Sequence, residues 1–122
     1  MPLPSPRPIR VLVIDSDEAS RTAISAALEW DSCDVSLAPS AHEALEVARR
    51  APPDIVVLGA SVARALGPAL RAGILRDVPV IACCDHSGIP LFADAVLPSP
   101  LDAFELIATV RLLRRSRLVE SA

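Results

Sequence analysis

The sequence contains no lysine and no tyrosine, and its aromatic residues are limited to Trp30, Phe92 and Phe104. So few aromatic side chains provide little for stacking on nucleic-acid bases. The formal net charge of −3 also argues against nucleic acid as a main partner. No apolar run approaches the roughly 20 residues that cross a membrane. We therefore expect no direct nucleic-acid binding and no membrane partner.

The sequence also lacks a secretion signal and a disulfide framework. Residues 1–8 contain four prolines and no apolar stretch, which predicts a flexible leader rather than a signal peptide. The cysteine count is three, an odd number, and Cys83 and Cys84 are adjacent within an apolar run. We expect buried, reduced thiols and a cytoplasmic protein.

What the chain does contain is a repeated alternation of apolar strands and helices. The 122 residues are 52% hydrophobic, enough for one domain with its own core. Four short apolar segments and one segment of alternating apolar and polar residues, 33–38, predict five strands. These segments are 9–14, 33–38, 55–58, 78–84 and 95–97. Because helical segments alternate with them, the sequence predicts a parallel sheet covered by helices on both faces.

Capping signals mark the helix boundaries. Ser40 with Glu43, and Asp102 with Glu105, are spaced as capping boxes. The pair Gly67-Pro68 indicates that the third helix starts or restarts there. The segment 85–94 is short and broken by glycine and proline, so it predicts at most a turn or two of helix.

The third strand, 55–58, is the most apolar and is expected at the centre of the sheet. In parallel sheets ligands bind at the carboxyl ends of the strands. Here that end is Gly59, which has no carboxylate, hydroxyl, thiol or amine. Asp54 lies at the opposite end, where we expect a helix-cap or surface role.

Four segments in register resemble the receiver domain of two-component response regulators. They are "RVLVIDSDE", "PDIVVLGA", "VPVIACC" and "FADAVLPSPLDAFELIATVRLL", and they span nearly the whole chain. The resemblance implies a CheY-like, flavodoxin-like (βα)5 three-layer sandwich with strand order 2-1-3-4-5. The fourth helix would be shortened. We expect a receiver-like domain over 9–116 and a C-terminal tail over 117–122.

The resemblance also implies a phosphorylation site that this sequence lacks. The phospho-accepting aspartate of the family falls at Gly59. The acidic pair that holds Mg²⁺ falls at Asp15 and Ser16, so only one carboxylate remains. We expect no Mg²⁺ or other cofactor.

Three further positions of the family's phosphorylation switch are altered. The threonine or serine that senses phosphorylation falls at Cys84, the lysine that pairs with the phosphoryl group at Ser99, and the switch aromatic at Val96. The interpretation is a pseudo-receiver that is not an enzyme, that signals independently of phosphorylation, and that acts through protein–protein contact.

The sequence leaves three alternative roles for the carboxyl edge of the sheet open. Asp15 and Asp17 could hold a divalent cation weakly, or could simply cap the first helix. Asp85 or Asp15 could be a relocated phospho-acceptor, although lysine is absent from their surroundings. A small molecule could occupy the vacated crevice near Asp15, Gly59 and Cys84.

The last helix carries a candidate interface. Phe104 shares a helix face with Ala108 and Arg111, and an aromatic beside an arginine is typical of protein interfaces. The alternative is that Phe104 folds back onto the core. Homodimerisation is one form that such contact could take.

Overall fold

A computed structural model describes residues 7–73, 75–85 and 92–121. Within these ranges the chain forms five strands and four helices. The strands are β1 (Arg10–Ile14), β2 (Asp34–Ala38), β3 (Ile55–Leu58), β4 (Val80–Cys84) and β5 (Ala95–Pro98). The helices are α1 (Glu18–Trp30), α2 (Ala41–Arg50), α3 (Ala60–Ala72) and α4 (Ala103–Ser121).

The five strands form one parallel sheet in the order β2-β1-β3-β4-β5. The predicted fold class and strand order are therefore confirmed. All four residues of β3 are buried and the strand lies at the centre, as its continuous apolar sequence predicts.

Two apolar layers cover the two faces of the sheet, because neighbouring residues of a strand point to opposite sides. One layer joins alternate strand residues such as Val13 and Val57 to Leu28 of α1 and Leu106 of α4. The other joins Leu12 and Val56 to buried residues of α2 and α3. α1 and α4 therefore share one face, and α2 and α3 share the other.

Helix boundaries follow the caps in three cases and differ in one. The side chains of Asp17, Ser40 and Asp102 accept backbone N–H groups in the first turns of α1, α2 and α4. The predicted start of the third helix at Gly67-Pro68 is wrong: α3 begins at Ala60 and Pro68 lies inside it. The chain therefore passes directly from the carboxyl end of β3 into α3.

The connection from β4 to β5 is described at residue 85 and at residues 92–94. Residue 85 and residues 92–94 contain no helix. Residues 86–91, where the shortened fourth helix was predicted, lie outside the described residues. Phe92 packs against α3, where a methyl group placed on Gly67 would lie 2.1 Å from its Cζ atom. The helix matching the family's fifth is α4 here.

No helix in the described parts of the chain has the length and apolar character needed to cross a membrane.

Candidate functional site

The carboxyl edge of the sheet brings together the positions that the resemblance singled out. Asp15 follows β1, Gly59 follows β3, Cys84 ends β4 and Ser99 follows β5. The Gly59 amide donates to the Ile14 carbonyl at 2.8 Å, and the Ser99 amide donates to the Cys84 carbonyl at 2.8 Å. These residues therefore line one edge of neighbouring strands.

Asp15 and Gly59 are in direct contact. A methyl group built on Gly59 would lie 2.4 Å from Cγ of Asp15, 2.5 Å from Oδ1 and 2.6 Å from Oδ2. The φ angle of Gly59 is −63°, a value open to any residue. Glycine is thus required here by space rather than by backbone conformation. The Asp15 carboxylate occupies the volume that a side chain at position 59 would use.

The Asp15 carboxylate is poorly compensated. The residue is only 3% exposed. Its Oδ1 accepts the Asp17 amide at 3.0 Å, whereas Oδ2 has no hydrogen-bond partner among the residues that the structure describes. The nearby Arg21 guanidinium donates to the main-chain carbonyl of Asp15 at 2.7 Å. The large majority of buried side-chain polar atoms have at least one hydrogen-bond partner, so Oδ2 of Asp15 is an exception.

The other acidic candidate, Asp17, is an N-cap. Its Oδ2 accepts a hydrogen bond from the Ser20 amide at 3.0 Å. Of the two roles considered for Asp17, cation binding and helix capping, this contact is the one that capping requires. Ser16, at the second metal position of the family, has its Oγ 3.0 Å from Oγ of Ser61 on α3. Within the described ranges no group of three or more histidine, cysteine, aspartate or glutamate side chains is placed to bind a metal. Asp15 is thus the one carboxylate that the described residues place at the family's metal position, and the remaining oxygen ligands of an octahedral Mg²⁺ would have to come from water or from phosphate.

An ion pair that the sequence reasoning missed lies at the rim of this edge. The Arg64 guanidinium on α3 pairs with the Asp85 carboxylate just after β4. The chain has no lysine that could pair with Asp85. Because the chain has arginine but no lysine, an arginine in the first turns of α3 was the sequence signal that could have predicted this ion pair. Cys84 is half-buried, and its Sγ donates to the Asp85 carbonyl at 3.0 Å.

Cys83, beside Cys84, faces the core. Burial, with a smaller contribution from the negative charge of Asp15, raises the pKa of its thiol to about 11. At neutral pH Cys83 is therefore a protonated, weakly reactive thiol. Cys33, also buried, has a raised pKa for the same main reason, with a smaller contribution from Asp31.

The remaining family positions lie at the β5 side of the edge. Val96 is half-buried and pairs with Ala82 across β4 and β5. Ser99 is exposed, and its peptide bond to Pro100 is cis. Neither side chain adds charge to the edge.

The candidate interface forms a separate surface on α4. Phe104 is 84% exposed and Leu112 is 62% exposed. The alternative that Phe104 folds back onto the core is therefore wrong. Ala108 lies between them at four-residue spacing, and we call these three residues, together with the adjacent Arg111, the α4 stripe. Ile107, Arg111 and Arg115 complete an open groove of about 320 Å³.

The α4 stripe is fixed to α1 by an ion pair. The Arg111 guanidinium donates to Asp31, and the Nε–Oδ2 distance is 3.0 Å. This hydrogen bond and the charge of Asp31 raise the pKa of Arg111. Trp30, next to Asp31, is 88% exposed. An exposed aromatic side chain therefore precedes, in the sequence, the residue that pairs with Arg111.

Known proteins of one class resemble this chain. Response regulator MprA of Mycolicibacterium vanbaalenii is 32% identical over 120 residues, covering 89% of this chain and 52% of the relative. Response regulator MprA of Mycobacterium leprae is 30% identical over 125 residues, covering 93% and 55%. No protein-family model matches the chain.

Solved structures give the same result. A response regulator receiver modulated diguanylate cyclase from Pelobacter carbinolicus superposes with a TM-score of 0.79 at 25% identity, covering 93% of this chain and 97% of that one. A CheY-like receiver domain protein from Methanospirillum hungatei superposes with a TM-score of 0.78 at 17% identity, covering 93% and 99%.

Relatives and structures support one class, the CheY-like receiver domain of response regulators. The chain has the fold of a CheY-like receiver and is similar in sequence to response regulators. It spans about half the length of the curated relatives it matches, 52% in the first case.

Proposed function

We propose that this chain is a pseudo-receiver that signals through protein contact and does not use an aspartyl-phosphate cycle. The observation that carries the proposal is the pairing of Gly59 with Asp15. At the end of the central strand there is no acceptor side chain, and the space for one is filled by the Asp15 carboxylate. Nucleophilic attack on a phosphoryl donor needs a side-chain nucleophile, and glycine has none.

The surroundings support the same proposal. Charge neutralisation of a phosphoryl group normally needs Mg²⁺ and a basic side chain at the site. Asp15 is the one buried carboxylate among the described residues, and Asp17 is engaged as a helix cap. Asp85, the relocated acceptor considered above, forms an ion pair with Arg64 at the rim. Transfer to Asp85 would first have to disrupt that pair.

Incubation with acetyl phosphate and Mg²⁺ tests this proposal. We expect the intact mass to stay unchanged, while a receiver known to accept phosphate, treated in parallel, gains one phosphoryl group. A gain by this chain would refute phosphorylation independence. Repeating the reaction with Asp85→Asn and with Asp15→Asn would then identify the acceptor.

We propose the α4 stripe as the contact surface and a second copy of the chain as its occupant. Exposed acidic residues, Asp102 and Glu105, lie at the amino end of α4, and exposed Arg111 and Arg115 lie further along. In an antiparallel pair of α4 helices related by a two-fold axis near Ala108, each acidic end faces a basic one. The small Ala108 side chain lets the two helices approach closely.

Sedimentation equilibrium with substitutions on two faces tests the homodimer. Phe104→Glu should raise the dimer dissociation constant at least roughly tenfold, because it puts a charge into the apolar contact. Leu66→Glu is the matched control: Leu66 is also partly exposed, at 43%, but lies on α3 across the sheet. A monomeric wild type, or equal effects of the two substitutions, would refute this occupant.

A further inference from the structure

We infer that Asp15 acts as an internal plug of the former acceptor pocket, so that the pocket is closed by the chain itself. The inference rests on the proposed loss of phosphorylation at position 59 and deepens it. The space beside Gly59 would then be unavailable to a phosphoryl group. Gly59 and Asp15 would be one coupled feature, in which glycine at 59 permits the inward position of Asp15.

The first support is the geometry of the contact. All three atoms of the Asp15 carboxylate would lie 2.4–2.6 Å from a methyl group at Gly59, well inside van der Waals contact. Any side chain at 59 would therefore displace Asp15. Restoring an acceptor with Gly59→Asp would place a second carboxylate in space that the first already fills.

The second support is the cost that Asp15 carries in this position. At 3% exposure, with Oδ2 unpartnered among the described residues, its carboxylate gives up hydration for a single hydrogen bond. Such a position persists when other parts of the structure hold it. Here the Asp15 amide donates to the Ala38 carbonyl at 3.1 Å, and Arg21 binds its carbonyl oxygen.

The third support is that the loops around the plug are joined to one another. The Ser16–Ser61 contact links the segment after β1 to the start of α3. The Arg64–Asp85 pair links α3 to the end of β4. In a receiver that binds phosphate these loops must admit the donor. Here side-chain contacts join the segments after β1 and β4 to α3.

A double-mutant cycle tests the plug. Gly59→Ala should raise the unfolding equilibrium constant by roughly tenfold or more, as overpacking does. Part of this loss has another cause, because Gly59 is the N-cap of α3 and alanine is a poor cap. The cycle separates the two causes, since the capping loss is the same whatever residue occupies position 15.

The decisive measurement is Gly59→Ala in two backgrounds. In Asp15→Asn, which keeps the shape of the side chain, the full loss should remain. In Asp15→Ala, which removes the carboxylate, only the capping loss of roughly threefold should remain. Gly73→Ala, at the exposed end of α3, is the control and should behave alike in all backgrounds. If Gly59→Ala fails to fold alone, folding of the Asp15→Ala double variant supports the plug.

Equal losses in both backgrounds, or no loss in any, would overturn the plug. This outcome is distinguishable from failure of the proposed function. The cycle measures unfolding without a phosphoryl donor, while the mass experiment measures phosphoryl gain. If the chain gained a phosphoryl group at Asp85 and still showed the coupling between Gly59 and Asp15, the plug would be supported. The proposal of phosphorylation independence would then be refuted.

Discussion

The sheet has an aspartate side chain at each end, and the two are compensated very differently. At the amino end Asp54, just before β3, accepts Nη2 of Arg7 at 2.9 Å and the Arg10 amide at 2.9 Å. It also forms an ion pair with Arg114 of α4 at 3.2 Å. Its side chain is 12% exposed. One carboxylate thus joins the segment before β1, the sheet and the last helix.

At the carboxyl end Asp15 has one hydrogen bond to its carboxylate. Since buried charge is costly without partners, Asp54 should stabilise the fold while Asp15 costs free energy. Sites shaped for function commonly carry such a cost. The amino end of the sheet therefore holds the scaffold together, and the carboxyl end retains a residue that stability alone does not favour.

The largest expected effect is at the amino end. Asp54→Ala should lower the free energy of unfolding by about 2–3 kcal/mol, because it leaves the Arg10 amide and two guanidinium groups without their shared acceptor. Urea unfolding measures this. Asp77→Ala is the control, because Asp77 is 83% exposed and contacts Arg76 at 3.9 Å. An equal loss of unfolding free energy in both variants would mean that Asp54 stabilises the fold no more than an exposed carboxylate does.

The second prediction concerns alkaline pH at the carboxyl end. The folded pKa of Cys83 is raised from 9.0 to about 11, so the unfolded chain releases this proton first. Stability is fully present below pH 9 and falls as pH rises towards 11, by about 2 kcal/mol. Because the chain has no lysine and no tyrosine, few other groups titrate there.

Cys83→Ala should therefore flatten the decline of the unfolding free energy between pH 9 and 11. Cys84→Ala is the matched control, since the neighbouring thiol is only half-buried. Chemical denaturation at half-unit steps of pH makes the comparison. An identical decline in both variants would contradict the assignment to Cys83.

The third prediction sets Asp15 directly against Asp54. Asp15→Ala should change the free energy of unfolding by less than about 1 kcal/mol, with a gain in stability as the expected sign. The loss of the Asp17 contact is offset by relief from a poorly paired buried charge. A loss as large as that of Asp54→Ala would show that Asp15 stabilises the fold, and the contrast between the two ends would be wrong.

The fold could be predicted from the sequence because its signals are local and repeated. Apolar β-branched runs predicted the strands, and Ser40 and Asp102 predicted helix starts. The start of α3 was missed because glycine and proline at 67 and 68 are common helix boundaries. Here Pro68 is accommodated within a helix that begins at the end of β3.

The site was predictable in its positions but not in its contacts. The sequence indicates that Gly59 lacks a reactive group, but whether the space stays open depends on Asp15, 44 positions away. The Arg64–Asp85 pair likewise joins residues 21 positions apart. Asp54 was predicted to be a cap or surface residue, whereas its three partners come from distant segments. Such contacts depend on packing, which no local pattern encodes.

The smallest expected effect belongs to the exposed ion pair of the α4 stripe. Arg111→Ala should leave the free energy of unfolding nearly unchanged, because its side chain is 64% exposed and water screens the pair with Asp31. The same substitution should weaken self-association, as it removes a basic contact of the proposed interface. Urea unfolding and sedimentation of one preparation separate the two effects. A large stability loss with unchanged association would mean that Arg111 serves the scaffold, as Asp54 does, and not the interface.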